Sequence, residues 1–537
     1  KLGQCNEGNG VGNFTQSQKY AQETNADFLA IFDKKIGEDF RIDGSLGANY
    51  RMEDMHSVDI AAYKLTVPDF FTIGNIAGDP GISQYDSKKV TNSVLGSFNL
   101  AYKNYLFFGV TGRNDWSSSL PKDSWSYFYP SVSLGFVFTD AFKIESDVLS
   151  YGKVRASYAQ VGNDTGPYQI ASTFGSLGAP WNGVSLFNLP GTLPPVGLKP
   201  EIAKSVEAGL DMRFFSNRVK LDVSYYDVKT TNQIMGVDIA PSSGYSRMMI
   251  NAGEIQNKGV ELILSTEIIR SKSGFNWELT LNWARNVNSV NELYGDLESL
   301  WISSMWSSYI EARPGKPYGV IMGQKYLRND AGELIVTSAG LTQAAPGNFE
   351  LGNITPDWIG GMQNSFSYKG FNLGILIDGR KGGDIVSGTR FWATRMGNLE
   401  STLYNPFTGE SNVRETGIVV PGVLADGTPN TKRVTAQLFF NQYGRTTELH
   451  MIDGSFIKLR ELSLGYTIPA KLTKKMGMYS ARVSFVARNV AILYLDKSND
   501  TNLDPETGFG TTMSGVGYEQ MQIPTSRTLG FKLALSF

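Results

Sequence analysis

His56 and His450 are the only imidazoles in the chain, and neither has a serine or cysteine nucleophile arrangement near it. A Ser-His-Asp relay or a zinc site needs such groups gathered, so no catalytic residue is assigned and no cofactor is expected. Oxygen ligands are denser. Asp500, Asn502, Asp504 and Glu506 put an oxygen-bearing side chain at every second position, and calcium takes about six to eight oxygens in such loops. Pro505 stands where a tight-turn glycine is required, so a solvated acidic turn is the competing reading, and no metal ligand set is assigned firmly.

Flat apolar rings with a polar edge supply binding area at low entropic cost, which suits sugar rings or peptide side chains. Trp181, Trp301, Trp306, Tyr309 and Trp392 are the candidates, with Phe187 and Tyr404 near them in sequence. Interfacial or packing roles compete, because Trp and Tyr also favour a membrane boundary. Asp378, Arg380, Lys381 and Asp384 surround three glycines with both signs of charge. Such a segment suits a partner or substrate contact, or a solvated rim.

The elements that must position these residues are strands. From Thr528 to Phe537, Leu529, Phe531, Leu533, Leu535 and Phe537 share one parity and Thr528, Gly530, Lys532, Ala534 and Ser536 the other. A period of two puts the two sets on opposite faces. The pattern recurs: Val206, Ala208, Leu210, Met212 and Phe214 oppose Ser205, Glu207, Gly209, Asp211 and Arg213. Trp277, Leu279, Leu281 and Trp283 oppose Glu278, Thr280, Asn282 and Ala284, and Val260, Leu262 and Leu264 alternate with Glu261 and Ser265. Between Phe456 and Tyr466 the phase breaks, with Ile457 and Leu459 on one parity and Leu462, Leu464 and Tyr466 on the other. A β-bulge accounts for that.

Counting weaker segments near Phe28 to Ile36 and Phe40 to Tyr50, about 16 strands are expected, most roughly 10 to 14 residues long against about 5 or 6 in soluble sheets. Tight turns at Lys103-Asn104, Ser216 to Arg218 and Lys369-Gly370 contrast with long segments at Pro68 to Lys88, Gly162 to Lys199, Glu292 to Tyr318, Arg328 to Pro356, Asp384 to Asp453 and Leu493 to Pro524. Long tilted strands with turns short at one end and long at the other fit a transmembrane antiparallel β-barrel, whose apolar parity meets lipid and whose polar parity borders water. On that geometry Glu207, Asp211, Arg213, Glu261 and Glu278 face the lumen or a plug within it.

Composition agrees. Aromatics are 12% and charged residues 19%, with 58 glycines, and the net charge of -2 offers no basic surface for nucleic acid. Cys5 is the sole cysteine, which excludes an internal disulfide. Leu2-Gly3-Gln4-Cys5 has the outline of a lipoprotein cleavage box, without an apolar stretch before it. No stretch reaches the roughly 18 apolar residues of a spanning helix.

Several motifs, in order along nearly the whole chain, resemble the SusC family of TonB-dependent outer-membrane transporters. They include Arg113-Asn114-Asp115-Trp116-Ser117-Ser118, Tyr129-Pro130-Ser131-Val132-Ser133 and Lys153-Val154-Arg155-Ala156-Ser157-Tyr158. Gly352-Asn353-Ile354-Thr355-Pro356-Asp357 with Asp378-Gly379-Arg380-Lys381-Gly382-Gly383-Asp384 is the most specific pair, and Asp453-Gly454-Ser455-Phe456 closes the series. The resemblance implies import of an oligosaccharide or oligopeptide across the outer membrane of a Gram-negative bacterium. It also implies a SusD-like surface lipoprotein as lid, energy from the TonB complex and no enzymatic step. It further implies a barrel of about 22 strands, of which residues 1–537 are expected to be the C-terminal portion, with plug domain, TonB box and signal peptide absent from this chain. A passive porin or adhesin barrel and a soluble glycan-binding β-sandwich protein are the rival readings.

Overall fold

The computed structural model describes residues 12–171, 173–176, 181–195, 197–443, 446–508 and 517–537; Cys5 and its Leu2 to Cys5 box lie outside them. Fifteen strands follow one another in chain order in one large sheet. They are numbered here β1 (Phe14–Ile36), β2 (Phe40–Ala62), β3 (Gly81–Tyr102), β4 (Leu106–Ser117), β5 (Ser126–Val137), β6 (Leu149–Asn163), β7 (Glu201–Phe214) and β8 (Val219–Thr231). They continue as β9 (Glu254–Arg270), β10 (Asn276–Glu292), β11 (Pro356–Tyr368), β12 (Phe371–Gly382), β13 (Phe456–Thr467), β14 (Ser480–Leu495) and β15 (Thr528–Ser536). No helix among the described residues is long and apolar enough to cross a membrane, which leaves strand crossing open.

The chain divides into two compact units, one of Lys1–Leu134, Ser157–Ser205 and Thr230–Ala252, the other of Gly135–Ala156, Val206–Lys229 and Gly253–Phe537. In the first, β1 to β4 form antiparallel ladders. Lys103 (φ 49°) and Asn104 (φ 61°) turn β3 into β4 in left-handed backbone, where Asn is tolerated because its short amide satisfies local groups. β1 and β2 are each 23 residues, far longer than their apolar alternation indicates. The first half of β1 is polar on both parities, as in Gln16, Ser17, Gln18, Lys19, Gln22 and Glu23, and in the second half of β2 Asp54 and His56 interrupt the parity of Met52, Val58 and Ile60, so the period of two is lost there. Gly81 to Lys88 is likewise polar strand, which shortens the loop expected from Pro68. Phe138, which continues the alternation of β5, instead opens a helical turn, Phe138–Ala141.

In the second unit β9 to β15 pair antiparallel in sequence order. The β11–β12 turn is Lys369 (φ 44°) and Gly370 (φ 91°), the two positive φ values a two-residue hairpin needs. Leu262, Trp283 and Gly360 lie in register, as do Leu264, Leu281 and Met362, so one parity is apolar across three strands. The bulge expected in β13 is present, with register shifts of that strand against both neighbours between Leu459 and Glu461. It returns the apolar side chains to the same face after Arg460 and Glu461.

Burial is inverted relative to a soluble sandwich. Fully buried large side chains such as Ile310, Ile321, Ile418, Phe439, Ile452 and Tyr518 sit mostly in the connecting segments. The apolar parity of the strands is open: Leu533 is 63% exposed, Leu464 49% and Val206 54%. Rings cluster near the short turns, Phe371 with Tyr466 at 4.5 Å and Trp277 with Phe366 at 5.6 Å in one unit, Phe40 with Tyr102 at 4.8 Å in the other. Aromatic rings at that level match a membrane-interface girdle. The long segments fold into small sheets and helices, including the hairpin Leu300–Met305 with Ser308–Ala312 and the helices Gly388–Arg395 and Ala436–Tyr443.

Candidate functional site

Three glycine-bearing motifs distant in sequence meet at the long-loop end of β11 to β13. Arg380, near the end of β12, donates from Nε to Gly454 O at 2.8 Å and from Nη2 to Pro505 O at 3.2 Å. A Cβ on Gly454 would fall 2.3 Å from Gly383 O and 2.4 Å from the Arg380 guanidinium, so only glycine lets the two backbones close. Gly382 N donates to Ser455 Oγ (2.8 Å), and Asn353 N to Asp384 Oδ2 (3.0 Å). Burial, helped by the charges of Asp453 and Asp357, pushes the Asp384 carboxyl above the usual range, against the pull of the Asn353 N–H.

The segment after β14 folds back onto the polar parity of β13. Lys458 Nζ pairs with Asp504, and with Glu506 at 2.5 Å. Arg460 Nη2 reaches Asp378 Oδ2 at 2.5 Å while its Nη1 holds Glu506 Oε2 at 2.8 Å. Burial raises both loop carboxyls, but hydrogen bonds overcome it and hold them below the ordinary range: Lys458 and Thr525 on Asp504, Arg460 and Lys458 on Glu506. Asp500 faces Arg390 at 3.0 Å. The residues of the possible calcium set are therefore spread: the three carboxylates are each matched to a cation of the chain, and Asn502 occupies a left-handed turn (φ 52°). A dication would have to displace Lys458, Arg460 and Arg390. Among the described residues, no group of three or more His, Cys, Asp or Glu side chains is placed to hold a metal ion.

Beside these residues, β9 to β12 border a cleft of about 630 Å³ whose lining joins the polar Glu261, Asn282, Asp378, Arg380 and Glu506 to apolar residues such as Leu262 and Trp283. Glu278 sits on the parity of Asn282, opposite Glu267. On the second unit's other strands, Arg155 forks onto Asp222 with two 2.8 Å bonds and lies 3.8 Å from Glu207. Gly209 leaves the space, since a Cβ there would stand 2.4 Å from Arg155 Nε. Asp211 and Arg213 pair at 3.5 Å, and the Arg213 guanidinium lies 4.6 Å over the Tyr151 ring. The polar parity is thus a surface of cross-linked charges.

Of the aromatic candidates, Trp306 and Trp392 are brought together by Phe391, which sequence reading missed: its ring is 4.4 Å from Trp306 and 5.2 Å from Trp392. Trp306 occupies the first position of a two-residue hairpin turn at φ 53°, a strained conformation for a bulky residue. Helix Gly388–Arg395, which carries Phe391 and Trp392, begins on the buried Glu519 carboxylate, which accepts from Ser387 Oγ (2.8 Å), Thr389 N (3.1 Å) and Thr389 Oγ1 (2.6 Å). Negative charge at a helix N-terminus is favourable and fixes the ledge. Trp301 and Tyr309 lie on the paired strands, opposite Glu311 and Ser304 respectively. Trp181 belongs to the first unit, 71% exposed beside its bridge to Val184. His56 pairs with Asp86 on exposed strand surface in that unit.

A mostly β chain with a wide antiparallel sheet, an exposed apolar strand parity and a charged opposite parity has the build of an outer-membrane barrel wall. The family model described as "TonB dependent receptor-like, beta-barrel" matches residues 4–347, and the chain belongs to that family. It is 26% identical over 492 residues to TonB-dependent receptor P3 of Formosa agariphila, covering 85% of this chain and 46% of that relative. It is 25% identical to TonB-dependent receptor P26 of the same organism, covering 94% and 52%. The chain thus spans about half the length of the curated relatives it matches. Among solved structures it is similar to the RagAB peptide transporter, with a TM-score of 0.77 and 18% identity over 99% of this chain and 57% of the other. A closed-closed state of the RagAB peptide importer gives a TM-score of 0.78 and 19% identity, with the same coverage. At such identities the likeness is one of fold.

Proposed function

We propose that the chain is the wall and outer-loop portion of an active importer in the outer membrane of a Gram-negative bacterium. The imported nutrient is an oligosaccharide or oligopeptide, a SusD-like surface lipoprotein closes over the loops, and the TonB complex supplies energy. The observation that carries this reading is the inverted burial, with apolar side chains exposed along the strands and packed cores confined to the loops. That pattern is stable where lipid replaces water on the open parity. Family membership and the fold likeness to a protein described as a peptide transporter support it. The charged parity borders the hydrated bore, and the ledge of Trp306, Phe391 and Trp392 supplies flat area for an oligomer.

The test is deletion of the parent gene, followed by growth on defined oligosaccharides and oligopeptides as sole nutrient, with and without functional TonB. Loss of growth on at least one oligomer in both the deletion and the TonB-deficient strain is the expected result. TonB-independent uptake would instead favour a passive porin.

A further inference from the structure

Four arginines of the Asp384 to Asp453 segment are described, and they divide into two kinds. Arg390 and Arg433 each meet a carboxylate, Asp500 at 3.0 Å and Glu410 at 3.2 Å. Arg395 and Arg414 meet none among the described residues, yet both line one pocket of about 290 Å³ between the helices Gly388–Arg395 and Ala436–Tyr443. We propose that this pocket is an oxyanion subsite that takes the carboxylate or sulfate group of an acidic oligomer. The inference rests on the import reading and names the chemical class of cargo.

Both cations are held in place by the chain. Arg395 donates from Nη2 to Asn441 Oδ1 at 3.1 Å, and its guanidinium lies 5.1 Å from the Phe391 ring and 5.3 Å from that of Trp392. Ring faces fix the plane of a guanidinium without neutralising it. Its Nε is buried without a hydrogen-bond partner. Arg414 is anchored through Nη2 alone, to the Gly397 carbonyl and to Thr402 Oγ1 at 2.7 Å. A guanidinium carries five N–H donors, so both retain donors for a ligand. The buried Ala436 and Phe440 supply an apolar wall on one side, where attraction for an anion is less screened than in open water. Arg395 is part-buried and Arg414 exposed at the mouth of the pocket, so an incoming oxyanion can meet both guanidiniums, each able to offer planar two-point bonds. The ledge of Trp306 and Trp392 continues from Arg395, so the next unit of the oligomer has a ring face to lie on.

The experiment uses the full-length protein in detergent and two matched probe pairs. One is an alanine tetrapeptide with a free C-terminal carboxylate against its amide; the other is a galacturonic acid tetramer against its methyl ester. Affinities are read by calorimetry at low and moderate salt. At least one acidic member is expected to bind about tenfold more tightly than its neutral partner, with the preference shrinking as salt rises. Preference in the peptide pair assigns a peptide cargo, and preference in the sugar pair an acidic glycan. The R395Q/R414Q variant should lose the preference, and R395K/R414K should retain a reduced one, with heat-modifiable migration confirming that both fold. Absence of preference in both pairs overturns the proposal, whether the members bind alike or not at all; so does a preference that survives R395Q/R414Q. TonB-dependent growth on neutral oligomers would leave the import reading standing in either case.

Discussion

Lys458 and Asp504 form a buried ion pair, with side chains 4% and 6% exposed, that fastens the segment after β14 to the polar parity of β13. Removing one member leaves the other charged and desolvated. Lys458→Met is expected to cost about 3–5 kcal/mol of local stability and to open residues 496–507 to protease, while K458M/D504N recovers part of the loss. Proteolysis rates of the folded protein check both variants.

The same carboxyls set an acid limit. Asp504 and Glu506 titrate below their ordinary range in the folded state. Their contribution is present above the unfolded value of about 4 and is lost as pH falls through the depressed folded values. Asp384, raised by burial, has the opposite sign, since its protonation relieves a buried charge as pH falls. Protease sensitivity of residues 496–507 should therefore rise below about pH 4, and K458M/D504N should flatten the rise.

Gly454→Ala places a methyl group against Gly383 O and Arg380. Overpacking against backbone costs about 1–3 kcal/mol, and the expected outcome is a lower midpoint of heat-modifiable unfolding on gels. Gly332→Ala is not a matched control, because Gly332 is at φ 82°; Gly74→Ala, in open space without positive φ, is, and it should have little effect.

Trp306→Gly separates backbone from ring. Glycine accepts the left-handed turn at no steric cost, so the hairpin should persist, whereas loss of the ring from the ledge should weaken oligomer binding by about three- to tenfold. Calorimetry with an oligomer that supports growth measures it.

How much of this was legible in the sequence follows from periodicity. The strand parities were readable wherever one side was apolar, and the phase break at Ile457 to Leu464 located a real bulge. The first half of β1 was not readable, because both its parities are polar, nor the second half of β2, where Asp54 and His56 break the apolar parity of Met52, Val58 and Ile60. The resemblance placed three glycine motifs in order, but only the fold shows them closing on one another through Arg380 and Gly454. Trp306 and Trp392 stood out by residue type; their bridging ring, Phe391, did not, since adjacency across separate loops leaves no local signal. The partners of Lys458, Asp504 and Glu506, lie in a connecting segment 46 and 48 residues on, a separation that leaves no periodic signal.

The central claim is that the apolar parity meets acyl chains and the polar parity meets water. Nitroxide labels placed singly along β10, at Trp277, Leu279, Leu281 and Trp283 and at Glu278, Thr280 and Asn282, test it in the protein reconstituted into liposomes. Collision with lipid-soluble oxygen should dominate at the first set and collision with a water-soluble nickel chelate at the second, alternating residue by residue. Equal access of both relaxers at both sets, or exclusion of oxygen from the first, would contradict the account.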